Sequence, residues 1–151
     1  MAGTRPPIQA IIFDFYGVIR PNTVSPADLA KRDGLGKDRE LLSFIASLRP
    51  RYRTGLLSNS DTGLLAYYFR QGEAGEYFDA TAISGETGHA KPAPEAFTAI
   101  AAQLGVPPVQ CLMVDDIGEY CEAARATGMQ AIRYTSLISL KTSLASLNVT
   151  A

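Results

Sequence analysis

The stretch IQAIIFDFYGVI at residues 8–19 constrains the fold more than any other part of this chain. From Ile8 to Phe13 it is almost continuously apolar, without the alternation of a strand that has one face in water. Such a run belongs to a strand buried on both faces, as in a parallel sheet covered by helices on each side. The run stops on Asp14, and Gly17 breaks the pattern three residues later. Open α/β sheets bind their ligands outside the carboxyl ends of the strands, which is where Asp14 would lie. An acidic turn that merely ends a strand is the plain alternative. The remaining chain has to supply partners for Asp14 before more can be read into it.

Strand-like and helix-like patterns alternate through the rest of the chain. Residues 1–7 are a Pro-rich lead-in, and 20–36 is irregular, with room for one short helix at 26–32. Leu41, Phe44, Ile45 and Leu48 repeat at helical spacing until Pro50. Arg53 to Leu57 reads as a second strand, and the cluster Ser58-Asn59-Ser60-Asp61 is expected to cap a helix over 62–70. A Gly- and Glu-rich turn, a strand near Ala80–Ser84 and a loop from Gly85 to Pro94 follow. Phe97, Ile100, Ala101 and Leu104 predict a helix closed by Gly105. Cys111 to Val114 is a further buried strand that ends on Asp115-Asp116. Ile117, Tyr120, Cys121 and Ala124 predict a helix stopped by Gly128. Gln130 to Tyr134 is the last strand, and Leu137, Leu140, Leu144 and Leu147 line a final helix. This order predicts a three-layer α/β/α sandwich around a parallel sheet.

Composition narrows the function classes. The chain has 151 residues, which suits one domain over 1–151. Its formal charge of -1 and its scattered Lys and Arg residues exclude a nucleic-acid footprint. No apolar stretch is long enough to cross a bilayer, so no membrane partner is expected. The start shows no secretory leader pattern. Cys111 and Cys121 have no metal-binding spacing, and a cytoplasmic setting with reduced thiols is expected.

Polar residues follow three strands: Asp14, Ser58-Asn59 and Asp115-Asp116. Lys91 precedes a helix in HAKPAPEAF. In a doubly wound sheet these converge on one crevice. Three carboxylates together repel unless a cation sits among them, and hard oxygen ligands favour Mg2+. Ser58 offers a hydroxyl and Lys91 a point charge, both suited to phosphate. His89, the one histidine, reads as a loop residue beside Lys91. Arg20 and Tyr16 could touch substrate from the irregular segment, and Glu119 and Glu122 read as a solvated helix face.

The pieces FDFYGV, LLSNS, KPAPEAF and VDDIGEYCEAARATGM resemble the four signature motifs of the haloacid dehalogenase (HAD) superfamily of hydrolases, over about 8–135. The resemblance implies a HAD-like Rossmannoid sheet of strand order 5-4-1-2-3. It implies Asp14 as nucleophile, with Lys91 as the second catalytic residue, and Ser58, Asn59 and Tyr16 at the substrate phosphate. Mg2+ would be held by Asp14, Asp115, Asp116 and the Tyr16 main-chain carbonyl. The expected activity is a Mg2+-dependent phosphatase or phosphotransferase acting on a phosphorylated small molecule or macromolecule through an aspartyl-phosphate.

Two departures qualify that expectation. Family phosphatases carry a general-acid Asp two residues after the nucleophile, and this chain has Tyr16 there. That pattern resembles the metal-independent 2-haloacid dehalogenase branch, although the Asp115-Asp116 pair opposes an anionic haloacid. The segment 17–36 is also too short for a helical cap and reads as a flap or cap remnant. An open site of this kind suits a macromolecular substrate or a homo-oligomer whose second subunit covers it. A catalytically weak binding or assembly module is the alternative reading.

Overall fold

The computed structural model describes residues 5–22 and 25–151. Positions 1–4 of the lead-in and 23–24 of the expected flap lie outside the described residues. The strands are β1 (Ala10–Phe13), β2 (Arg53–Ser58), β3 (Ala80–Ile83), β4 (Cys111–Asp115) and β5 (Gln130–Arg133). The helices are α1 (Pro26–Ala30), α2 (Arg39–Leu48), α3 (Leu64–Tyr68), α4 (Ser84–Thr87), α5 (Pro94–Leu104), α6 (Gly118–Ala126) and α7 (Leu137–Ser146). All five strands pair in parallel in the order β3-β2-β1-β4-β5, the expected order read from the other edge.

The unbroken apolar run of β1 is explained by two separate cores. Ile11 and Phe13 point to one face and pack with Leu41, Ile45 and Leu48 of α2 and Leu140 and Leu144 of α7. Ala10 and Ile12 point to the other and pack with Phe97, Ile100 and Leu104 of α5 and Ala124 of α6. Successive side chains of a strand alternate faces, so a central strand between two helix layers has no polar side to show. Gly55 in β2 lets α5 lie close, since a Cβ there would stand 3.0 Å from the Ile100 side chain.

Register then aims the functional residues. Phe13 pairs with Leu56 of β2 and with Val114 of β4. Asp14 and Asp115 are therefore the next residues on adjacent strands, and Ser58 lies two past Leu56. The Asp14 N–H donates to the Val114 carbonyl at 3.0 Å, which extends the ladder to the nucleophile candidate itself.

The structure corrects several boundaries. Regular pairing in β1 starts at Ala10, although Ile8 is buried and Gln9 still exchanges main-chain hydrogen bonds with Gln110 and Arg53. The helix expected over 62–70 is only Leu64–Tyr68, with Gly63 ahead of it and no side-chain cap. The polar cluster before it has other partners: Asn59 binds the Lys91 main chain, and the Ser60 N–H donates to Ser84 Oγ at 2.9 Å. The first three residues of the expected loop 85–94 fall in α4, one turn of helix. In the segment 17–36, Pro26–Ala30 is helical, and the bridge between Arg32 and Asp38 ties its far end to the start of α2.

Candidate active site

Asp14, Ser58, Lys91 and Asp115 are 5%, 1%, 3% and 0% exposed, so three charged side chains share a buried pocket at the strand ends. Lys91 Nζ donates to Asp14 Oδ1 at 2.9 Å and to Asp115 Oδ2 at 2.7 Å. Asp115 Oδ1 accepts from the Ile117 N–H at 3.0 Å, so both its oxygens are engaged. Asp116 is less satisfied. Its Oδ2 accepts from Asn22 Nδ2 at 3.4 Å, and its buried Oδ1 has no hydrogen-bond partner among the described residues. One carboxylate oxygen from each of Asp14, Asp115 and Asp116 lies within 4.8 Å of the others.

Gly17 makes this convergence feasible. Its φ is +89°, and a Cβ there would stand 2.2 Å from Asp116 Oδ2. Only glycine takes that conformation without strain while letting the turn after Asp14 pass the Asp116 carboxylate.

The electrostatics show a surplus of negative charge. Burial pushes the Asp14 carboxyl up to about 7, Lys91 pulls it down and Asp115 pushes it up again. Three carboxylates against one ammonium leave a formal surplus of two negative charges at a largely buried site. Hard oxygen donors, a surplus of two charges and a buried oxygen without a partner among the described residues fit a divalent cation of the Mg2+ type. The sequence placed Asp14, Asp115, Asp116 and Lys91 together, and the structure brings them together.

The remaining site candidates divide. The Ser58 hydroxyl is buried beside them and accepts from Ser60 Oγ at 3.2 Å. Tyr16 is 42% exposed at the rim, and its hydroxyl donates to Tyr68 Oη at 3.4 Å. That bond, with partial burial, pushes the Tyr16 phenol up to about 12. The Asn59 side chain is spent on Lys91: Nδ2 donates to the Lys91 carbonyl and Oδ1 accepts its N–H, both at 2.8 Å. The Tyr120 ring lies 5.1 Å from Lys91 Nζ. Sequence reasoning missed this part for Tyr120 and for Asn22, because neither residue type at its position carries a pattern that announces the contact. Arg20 donates to the Leu35 carbonyl at 3.4 Å, His89 is exposed, and Glu119 and Glu122 are exposed on α6. A cleft of about 450 Å³ opens beside Gly17, Asn22 and Asp116, but neither Asp14, Ser58 nor Lys91 lines it.

No helix among the described residues is long and apolar enough to cross a membrane. The model of the haloacid dehalogenase-like hydrolase family matches residues 29–128. The chain is 43% identical over 56 residues to the fructose-1-phosphate phosphatase YqaB of Escherichia coli, covering 37% of this chain and 30% of that protein. It is 39% identical over 80 residues to phosphatase MT3486 of Mycobacterium tuberculosis, covering 52% and 37% respectively. The matches thus span about a third of the length of these curated relatives. A HAD family enzyme of Bacteroides thetaiotaomicron, solved with magnesium and inorganic phosphate, shares the fold at a TM-score of 0.68 and 19% identity, over 88% of this chain and 98% of that one.

Proposed function

The chain belongs to the haloacid dehalogenase-like hydrolases, and on that footing we propose that it is a Mg2+-dependent phosphatase or phosphotransferase acting through Asp14. The observation that carries this reading is the cluster of Asp14, Asp115 and Asp116 with its orphaned oxygen and its single buried ammonium. Asp14, Asp115, Asp116 and the Tyr16 main-chain carbonyl would hold Mg2+, which when bound offsets the charge of both the carboxylates and a phosphoryl group. Asp14 attacks phosphorus: a carboxylate–phosphorus bond forms, the ester bond to the leaving oxygen breaks, and water later cleaves the aspartyl-phosphate. Ser58 Oγ and Lys91 Nζ bind the phosphoryl oxygens and steady their charge. The phosphatase names of the Escherichia coli and Mycobacterium tuberculosis relatives support phosphatase chemistry, and the fructose-1-phosphate named for the first supports a phosphorylated small molecule as substrate. On this reading the described residues act as one core domain, and those of the segment 17–36 serve as a flap or minimal cap over a site that a second subunit or a large substrate would cover.

A weakly catalytic binding module is the second reading, favoured by one observation: the phenol in the general-acid position is held near 12 and is a poor proton donor at neutral pH. Dehalogenation is disfavoured, because two surplus carboxylates repel a haloacid anion. A panel of phosphate monoesters assayed with Mg2+ and with EDTA, beside the Asp14→Asn variant, separates these. The expected result is phosphate release that needs Mg2+ and falls at least about a thousandfold on losing the nucleophile. Activity that survives EDTA or Asp14→Asn overturns the mechanism, chloride release from 2-haloacids selects the dehalogenase, and Mg2+ binding without turnover selects the module.

A further inference from the structure

Lys91 is asked to do an exacting job, with one ammonium held within 2.9 Å of two carboxylates on two strands, yet it stands in a loop. That loop has little internal support: Ala93 N–H bonds to the Ala90 carbonyl, and the Lys91 main chain itself is held by one side chain, Asn59. Asn59 follows β2 directly and lies 32 positions away in sequence. Its amide pairs with both main-chain groups of Lys91, as one strand pairs with another, so the loop inherits the rigidity of the sheet. Tyr120 completes the arrangement. Its ring faces the ammonium at 5.1 Å, and its hydroxyl accepts from Asn59 Nδ2 at 3.4 Å. A cation over an aromatic face is attracted by the ring quadrupole, more so when dry.

We propose that Asn59 is a positioning residue, which sets the Lys91 ammonium between Asp14 and Asp115 by pairing with the Lys91 main chain, and that it is not a ligand of the phosphoryl group. One Nδ2 hydrogen goes to the Lys91 carbonyl at 2.8 Å and the second to Tyr120 Oη at 3.4 Å, while Oδ1 accepts the Lys91 N–H, so Asn59 can donate to a phosphate only by giving up one of these bonds. The proposal rests on the phosphatase reading for its catalytic consequence, because a misplaced ammonium stabilises the transferring group less in the transition state than in the bound substrate. Its structural half stands without that reading.

The test uses the whole chain with Mg2+ and three readouts for Asn59→Ala: hydrolysis of p-nitrophenyl phosphate, binding of inorganic phosphate, and hydrogen exchange at the Lys91 amide. Loss of positioning predicts a kcat lower by roughly 10- to 100-fold with KM within about twofold. Phosphate binding stays within about threefold, and the Lys91 amide exchanges about tenfold faster or more, since its acceptor is gone. Asn59→Asp guards against a misfolded variant: it keeps an acceptor for the Lys91 N–H, so protection there is retained. Unchanged Lys91 exchange in Asn59→Ala overturns the proposal, as does a rise in KM with weaker phosphate binding and unchanged kcat. A wild-type chain that hydrolyses nothing overturns the phosphatase reading instead, and the exchange result still decides the pairing.

Discussion

Tyr16 decides how fast the proposed chemistry can run. It is two residues past Asp14, its phenol is pushed up to about 12, and its hydroxyl is turned toward Tyr68. A leaving alkoxide needs a proton, and a donor this weak gives little help at neutral pH. The variant Tyr16→Asp should therefore speed hydrolysis of alkyl phosphates, on the order of a hundredfold if the carboxyl reaches the leaving oxygen. Phosphates with leaving groups that depart unprotonated, such as acyl or nitrophenyl phosphates, should gain far less. Comparing kcat/KM for an alkyl and a nitrophenyl ester in both proteins checks this. Equal gains would mean that Tyr16 limits something other than proton transfer. The two cysteines are not alternatives for chemistry, because burial pushes the thiols of Cys111 and Cys121 up.

A few polar ties join the elements at both ends of the sheet. Lys37 is 3% exposed, yet it binds Asp33 at 3.0 Å and the Tyr68 carbonyl at the end of α3, and it lies 4.6 Å from the Phe69 ring. It thereby ties the segment before α2 to α3, beside the Tyr16–Tyr68 contact. Lys37→Ala would leave that carbonyl without its donor and should cost about 2 kcal/mol, read as a lower urea midpoint. Asp79 does the same for strand starts. It accepts from the Thr54 N–H at 2.9 Å and pairs with Arg49 at 2.6 Å, joining α2, β2 and the approach to β3. Burial raises its pKa, but these partners outweigh burial and hold it below the usual value. A depressed carboxylate stabilises the fold above its unfolded pKa, near 3.9, and that contribution disappears as pH falls through the folded value. Asp79→Asn should thus lower stability at pH 7 and make no difference at about pH 2. Both partners are about a third exposed, so solvent screening keeps the effect small.

These ties also mark where the sequence stopped being informative. Periodicity found every strand and each long helix, because burial on two faces or one stripe is a local pattern. The strand-end residues Asp14, Ser58, Asp115 and Asp116 followed from sheet topology. The expected cap by the polar string after β2 and the extent of the helix that follows differ from the structure. The same Ser-Asn-Ser-Asp string suits a helix cap or a contact across the site, and only the proximity of Lys91 and Ser84 chooses between them. Lys37 reads as a surface lysine until Asp33, Tyr68 and Phe69 are seen around it.

For the molecule as a whole, the site is a stability deficit that a metal should repair. The sheet and its two cores fix Asp14, Asp115 and Asp116 in place, so the metal-free fold carries their repulsion and an unpartnered Asp116 oxygen. Mg2+ that binds only the folded chain adds about 2.7 kcal/mol at a hundred times its dissociation constant. For a chain of this length that corresponds to a rise in Tm of roughly 5–10 °C. Asp116→Ala separates this from a general salt effect. It removes one of the crowded charges, and the hydrogen bond it loses is the 3.4 Å contact from Asn22. The metal-free variant should therefore melt at or above the metal-free wild type, while Mg2+ no longer raises its Tm. Thermal melts of both proteins with EDTA and with excess Mg2+, and with Na+ at matched ionic strength, measure it. If Mg2+ leaves the wild-type Tm unmoved, or if the variant starts lower and responds as strongly, the carboxylates are satisfied by the protein alone and the metal site is wrong.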